Sequence, residues 1–299
     1  MPNAADIGWF KASFGEAIAA AVAGTPFDLD MLTAIACQET GYLWQRLRTR
    51  ALSTERILAL CVGDTIDSRR AFPRSRAELE AALQGERMFA IARAALIDLA
   101  RYIPDYAGAA AKPDTFCHGF GLFQYDLQFF RSDPDYFLEQ RYAQIEATAA
   151  KCVGELRAAQ RRLGWADRAT LNERERCAVA IAYNSGRYDP AKGLKQGFRD
   201  ADGRYYGENF RDFLRRAARV TEWVPRHRYR VATAGGRLNL RAAPAGDAAV
   251  IDRLTPDTRL RATGAPQTGG FVEVERSNSD PRVTGWVAAA YLERLGPGD

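Results

Sequence analysis

Near residues 222–230 the spacing of apolar residues changes from helical to alternating, and that change governs what the chain can fold into. Upstream, to about Thr221, apolar residues recur at three- and four-residue intervals in an alanine-rich background, the pattern of packed helices. Downstream come short alternating runs punctuated by Gly, Pro and Asp, the pattern of a small β-barrel. A chain of 299 residues fits such a pair of unequal domains. The boundaries read as a mainly α domain over 1–221, a linker over 222–229 containing Pro225 and several arginines, and an all-β domain over 230–299.

Within the first domain the apolar stretch Ala17 to Gly24 reads as the first helix. It is short for a signal-peptide core and carries Glu16 at its edge. Ser75 and Glu78 have capping-box spacing, which predicts a helix running on to about Tyr102, before Pro104. A long helix is predicted from Asp133-Pro134 to Leu163-Gly164. Another follows a Thr170/Glu173 box and ends at Asn184-Ser185-Gly186, and a last one spans about Glu208 to Val220. Strands are predicted around 237–241, 250–251, 259–261, 271–275 and 285–287.

Composition narrows the function classes. A formal charge of +5 and a pI near 9.0 favour an anionic polymer as partner. No Lys/Arg run is interleaved with stacking aromatics, so nucleic acid is not expected. No run approaches the roughly 20 apolar residues of a membrane span. The five cysteines, Cys37, Cys61, Cys117, Cys152 and Cys177, are odd in number, widely spaced and without a CxxC pair. They read as small buried hydrophobes, with one bridge after export left open. His118 and His227 are too few to build a metal site, and no cofactor is expected.

Three segments of the helical domain carry candidate chemistry. In Ile35-Ala36-Cys37-Gln38-Glu39-Thr40-Gly41-Tyr42, Leu32, Ile35 and Ala36 can face a core, and Glu39 falls where the helix gives out into a glycine turn. Partial desolvation there would raise its pKa, as a general acid near neutrality requires, whereas a glutamate at a helix end is by default solvated. Gly119-Phe120-Gly121-Leu122-Phe123-Gln124-Tyr125-Asp126 combines glycines that allow close backbone approach with aromatics that offer sugars a flat face. Ala182-Tyr183-Asn184-Ser185-Gly186 places a phenol beside an amide at a helix terminus.

In order, these segments resemble the signatures of goose-type lysozymes and soluble lytic transglycosylases, in which a glutamate precedes Ser/Thr, a Gly-Leu-Met-Gln-like turn follows, and Ala-Tyr-Asn-Ala-Gly comes last. Phe123 stands where those families have methionine, and Ser185 where they have alanine. The resemblance implies a lysozyme-like fold. It makes Glu39 the acid that protonates the glycosidic oxygen, with Gln124, Gly121 and Phe123 at the sugar, Tyr183 orienting Glu39 and Asn184 lining the cleft.

The second carboxylate separates two reactions. An inverting glycosidase needs one to activate water, whereas a lytic transglycosylase manages with one acid because the sugar's own 6-hydroxyl attacks. Gln124-Tyr125-Asp126 resembles the Gln-Val-Asp of goose-type lysozymes, which makes Asp126 the first candidate and Asp114 the second; aspartate is also a common turn former. Hydrolysis is therefore the expected chemistry, with transglycosylation and a non-catalytic wall-binding scaffold as alternatives.

The last domain resembles a bacterial SH3-type domain through Leu238-Asn239-Leu240-Arg241 and Gly285-Trp286-Val287. Such domains attach enzymes to cell-wall peptides, so the resemblance implies peptidoglycan as a polymeric, fixed partner. Separately, a monomer acting outside the cytoplasm is expected. Trp286 is a candidate recognition aromatic and equally a candidate core residue. Without a signal peptide, delivery through a holin or a secretion machine is expected, the latter implying an immunity or inhibitor protein.

Overall fold

The computed structural model describes residues 1–65 and 71–296, and among these the helical and the all-β regions follow one another as the periodicity predicts. The helical region begins with α1 (Ala4–Val22), α2 (Leu29–Glu39), α3 (Gly41–Leu47) and α4 (Thr54–Ala59), followed by strand β1 (Val62–Gly63). Then come α5 (Arg76–Glu80), α6 (Gly85–Ala100), α7 (Ala107–Ala110), β2 (Gly119–Phe120) and β3 (Tyr125–Asp126). Helices α8 (Pro134–Leu138), α9 (Ile145–Arg162), α10 (Glu173–Ser185) and α11 (Tyr206–Arg219) complete it.

Helix α1 starts earlier than the Ala17–Gly24 stretch suggests, because Asn3 and Asp6 form a reciprocal capping box with bonds of 2.8 and 3.0 Å. Its face of Ile7, Phe10, Phe14 and Ile18 is fully buried, with Phe10 against Trp44 at 5.2 Å between ring centroids. Each such side chain contributes about 1.5–3 kcal/mol by leaving water. Helix α2 packs on α1 and α11, and α9 packs on α1 and α10.

Two long helices predicted from the sequence are broken. The 75–102 helix divides into α5 and α6 at Gln84, whose φ is 59°, and the chain turns back so tightly that a Cβ on Gly85 would lie 1.8 Å from the Leu79 carbonyl. The 133–164 helix divides into α8 and α9 at Gln140, with φ 52°, where the chain turns to seat the Tyr142 ring on Phe120. Helix α10 is capped by Asn172 with Glu175, not by Thr170 with Glu173, and it ends at left-handed Gly186 with φ 77° as predicted.

Strands β1, β2 and β3 form a small antiparallel sheet inside the helical region, with Gly63 paired to Gly119 and Gly119 to Asp126. The C-terminal region is one antiparallel sheet of β4 (Arg228–Val231), β5 (Leu238–Arg241), β6 (Val250–Leu254), β7 (Arg259–Ala262), β8 (Phe271–Arg276), β9 (Thr284–Ala288) and β10 (Leu292–Arg294). The strand order is β10-β4-β7-β8-β9-β5-β6. Its core is Val231, Leu238, Leu240, Leu254, Leu260, Ala262, Val272, Val274 and Val287.

The two regions meet through buried charge. Glu275, 1% exposed, accepts from the Thr54 backbone at 3.0 Å and its other oxygen pairs with Arg226 at 2.9 Å. Arg226 also donates to Thr54 Oγ1 at 2.9 Å and to the Ala262 carbonyl at 3.0 Å. Arg261 reaches Glu55 at 2.8 Å and the Ser13 carbonyl at 2.7 Å. The segment from Glu222 to His227 lies along α1: a Cβ on Gly15 would lie 2.8 Å from the Trp223 ring, and Arg226 N donates to Ala12 O at 2.8 Å. All five cysteines are buried and unbridged.

Candidate functional site

Glu39 is the last residue of α2, whose preceding residues Met31 to Cys37 are all buried. Its partly buried carboxyl accepts a hydrogen bond at Oε1 from the Tyr206 hydroxyl at 2.9 Å. Burial pushes the Glu39 pKa up from 4.5 to about 7, with the Tyr206 bond pulling the other way. A carboxyl poised there holds its proton in a useful fraction of molecules at neutral pH, as a general acid must.

The chain does not turn away after Glu39. Thr40 joins α2 to α3, and its hydroxyl donates to the Leu122 carbonyl at 2.7 Å, tying the end of α2 to the loop between β2 and β3. Gly41 is required by close approach, since a Cβ there would lie 2.7 Å from Pro2 Cγ.

That loop turns on Gly121, with φ 82°, and on Gln124, with φ 52°. A Cβ on Gly121 would lie 2.5 Å from Thr148 Oγ1, so the Gly121 contribution is backbone geometry. The Gln124 amide donates to Gly121 O at 2.9 Å and lays its oxygen over the paired glycines of β1 and β2. A Cβ would lie 2.3 Å from that oxygen at Gly119 and 3.0 Å at Gly63. Two phenols join this spot: the Tyr42 and Tyr106 hydroxyls, 2.5 Å apart, both lie beside Gly63.

Tyr183 does not hydrogen-bond Glu39; its hydroxyl donates to the Phe123 carbonyl at 2.5 Å. Tyr206, at the start of α11, takes the orienting place instead. Motif reading missed it because it lies in none of the three segments; its weak signal was its position just ahead of the helix predicted from Glu208. The Phe123 ring is 2% exposed and packs in the core, so it offers no face to a sugar. Asn184 accepts from the Phe198 backbone at 3.1 Å and thus holds a loop in place.

The candidate second carboxylates separate clearly. Asp126, at the end of β3, is partly buried and caps the following 3₁₀ turn by accepting from Gln128 N at 2.7 Å. Burial, then the neighbouring Asp64 carboxylate, push its pKa up, against the Gln128 bond and His118. Asp64 follows β1 directly, is exposed and has φ 45°. It is a carboxylate the motifs did not flag, and it acts electrostatically on Asp126 from the far side of β2. Asp114, with a side chain 72% exposed, pairs with Arg76 at 3.0 Å on the surface. His118 is buried and stacks on Phe116 at 4.5 Å. Among the described residues no His, Cys, Asp or Glu cluster of three or more is arranged to hold a metal, and no helix is long and apolar enough to cross a membrane.

In the β domain, Gly285 and Val287 point into the core while Trp286 stands partly exposed on the outer face. A groove of about 420 Å³ opens between the loop after β4 and the ends of β5 and β8, lined by Arg237, Asn239, Arg241, Phe271 and Tyr291 among others. Residues 236–293, spanning β5 to β9 and most of β10, match the bacterial SH3 domain family. No curated protein and no solved structure matches the chain.

Proposed function

We propose that the chain is a muramidase that hydrolyses the β-1,4 bond between N-acetylmuramic acid and N-acetylglucosamine in peptidoglycan. The observation that carries this reading is the Glu39 carboxyl, held by Tyr206 and pushed to a pKa of about 7. Glu39 protonates the glycosidic oxygen as the bond to the leaving sugar breaks. Asp126, under the electrostatic influence of Asp64, positions and deprotonates the water that attacks the anomeric carbon. The water's hydroxyl joins the sugar, its proton passes to the carboxylate, and the Glu39 proton leaves on the departing hydroxyl.

The bacterial SH3 domain supports a polymeric, wall-fixed substrate, because a second attachment point raises the local concentration of enzyme on the wall. In this reading the enzyme acts outside the cytoplasm after delivery by a holin or a secretion machine.

The test is product analysis after incubation with purified peptidoglycan. Reducing muropeptides are expected, and Glu39→Gln is expected to lower their release by about 10²–10⁴-fold, the usual contribution of a general acid. Anhydro-muropeptides as the main product would reassign the same Glu39 to a lytic transglycosylase. Unchanged release by Glu39→Gln would remove Glu39 from the chemistry, and no release by the unsubstituted chain would favour a wall-binding scaffold.

A further inference from the structure

Beyond the candidate acid and the candidate second carboxylates, one side chain on the loop bonded to Tyr206 is conspicuous for being held in solvent. Phe198 is 68% exposed, and its backbone is fixed at both ends. Its N–H donates to Asn184 Oδ1 at 3.1 Å, and its carbonyl accepts from Tyr206 N at 2.7 Å. Tyr206 is the residue whose hydroxyl holds Glu39. The preceding Gly197, with φ 84°, lies so close that a Cβ would meet Tyr206 Cβ at 2.6 Å. Gln196 ties the loop to itself, accepting from Asp189 N at 2.8 Å and donating to the Asp189 and Gly193 carbonyls at 2.7 Å each. Gly207 N donates back to Gln196 O at 3.2 Å.

A loop pinned this closely to the partner of the acid, yet presenting a phenyl ring to water, spends none of that ring on the core. An exposed aromatic in a fixed position offers a flat apolar face of the kind the C–H face of a pyranose ring covers, with little ordering cost on binding. Exposed Lys195 and Arg199 flank it and suit a strand that carries carboxylates. We infer that Phe198 is a substrate-contacting residue that stacks on a sugar of the glycan strand at the rim of the Glu39 site, with Asn184 as its positioning residue. This inference rests on the muramidase reading, because the strand acted on by Glu39 is the ligand that Phe198 meets.

The test uses the full chain carrying Glu39→Gln, which keeps the ligand intact, and glycan strands stripped of their stem peptides, so that peptide contacts from the SH3 domain do not contribute. Adding Phe198→Ala is expected to weaken glycan binding about tenfold, the scale of losing one well-placed aromatic contact, while Phe198→Trp retains it. Melting temperature should stay at the parent value, since the ring is not in the core. In the otherwise unsubstituted enzyme, Phe198→Ala should raise KM with little change in kcat. Equal glycan affinity and equal KM with and without the ring would overturn the inference alone. Failure of the glycan-cleaving reading looks different: the unsubstituted chain then cleaves the glycan to neither reducing nor anhydro ends, and both proposals fall together.

Discussion

The Tyr206 hydroxyl reaches across 167 residues of sequence to donate to Glu39 Oε1 at 2.9 Å. Burial and this bond act on the acid in opposite directions, and burial is the larger influence. The consequence for activity has a definite sign. A general acid must be protonated, so muropeptide release should fall as pH rises through about 7. Because the Tyr206 bond favours the ionised carboxyl, Tyr206→Phe should move that alkaline limb to higher pH. Initial rates across pH for both chains check this, and a limb that stays put or moves down would contradict it.

The same carboxyl makes stability depend on pH. Below its ordinary value of 4.5 both folded and unfolded chains hold the proton; between there and about 7 only the folded chain keeps it. Stability contributed by Glu39 is therefore present at low pH and is lost as pH rises through that window. Glu39→Gln should remove this dependence, so that its melting temperature gains on the parent at pH 8 and not at pH 4. Thermal melts at the two pH values decide it.

Asp126 and Asp114 should separate in their effects on turnover. Asp126 stands in the small sheet with Asp64 acting on it, whereas Asp114 is spent on a surface pair with Arg76. Asp126→Asn is expected to slow hydrolysis by about 10²-fold or more, as loss of a general base does. Asp114→Asn should remain within about twofold, since exposed ion pairs contribute little. Equal effects of the two substitutions on reducing-end release would contradict the assignment.

The buried pair between Arg226 and Glu275 makes the strongest stability prediction. Glu275→Gln leaves the Arg226 guanidinium, 7% exposed, without its counter-charge and should cost about 3–5 kcal/mol in urea unfolding. A loss below about 1 kcal/mol would place this pair with ordinary surface bridges.

How much of this was legible in the sequence depends on the range of each interaction. The β domain announced itself because a two-residue period over several short runs has no helical alternative. The breaks at Gln84 and Gln140 were hidden, since both residues adopt a left-handed conformation that glycine usually marks, and nothing local distinguishes them from helix formers. Strands β1 to β3 are two residues each, too short for alternation to register. At the candidate site, the location of Glu39 at the end of a buried helix followed from its apolar neighbours. Its partner did not, because Tyr206 meets it only through the packing of α11 on α2. Likewise Asp64 comes within electrostatic reach of Asp126 only through strand pairing on either side of β2.

If the proposed muramidase activity holds, the charge-locked seam between the helical region and the SH3 domain bears on how the chain would explore a surface. A binding module on a slack tether lets its cutter sweep a disc around each foothold. Here Arg226, Arg261 and Glu275 fix the module's bearing, so under that reading one foothold would present the Glu39 site to the wall from one direction and at one offset. Covering a mesh of strands from such a mount would mean letting go and landing again, and the residence time of each landing would then limit how many bonds such a cutter breaks per unit time.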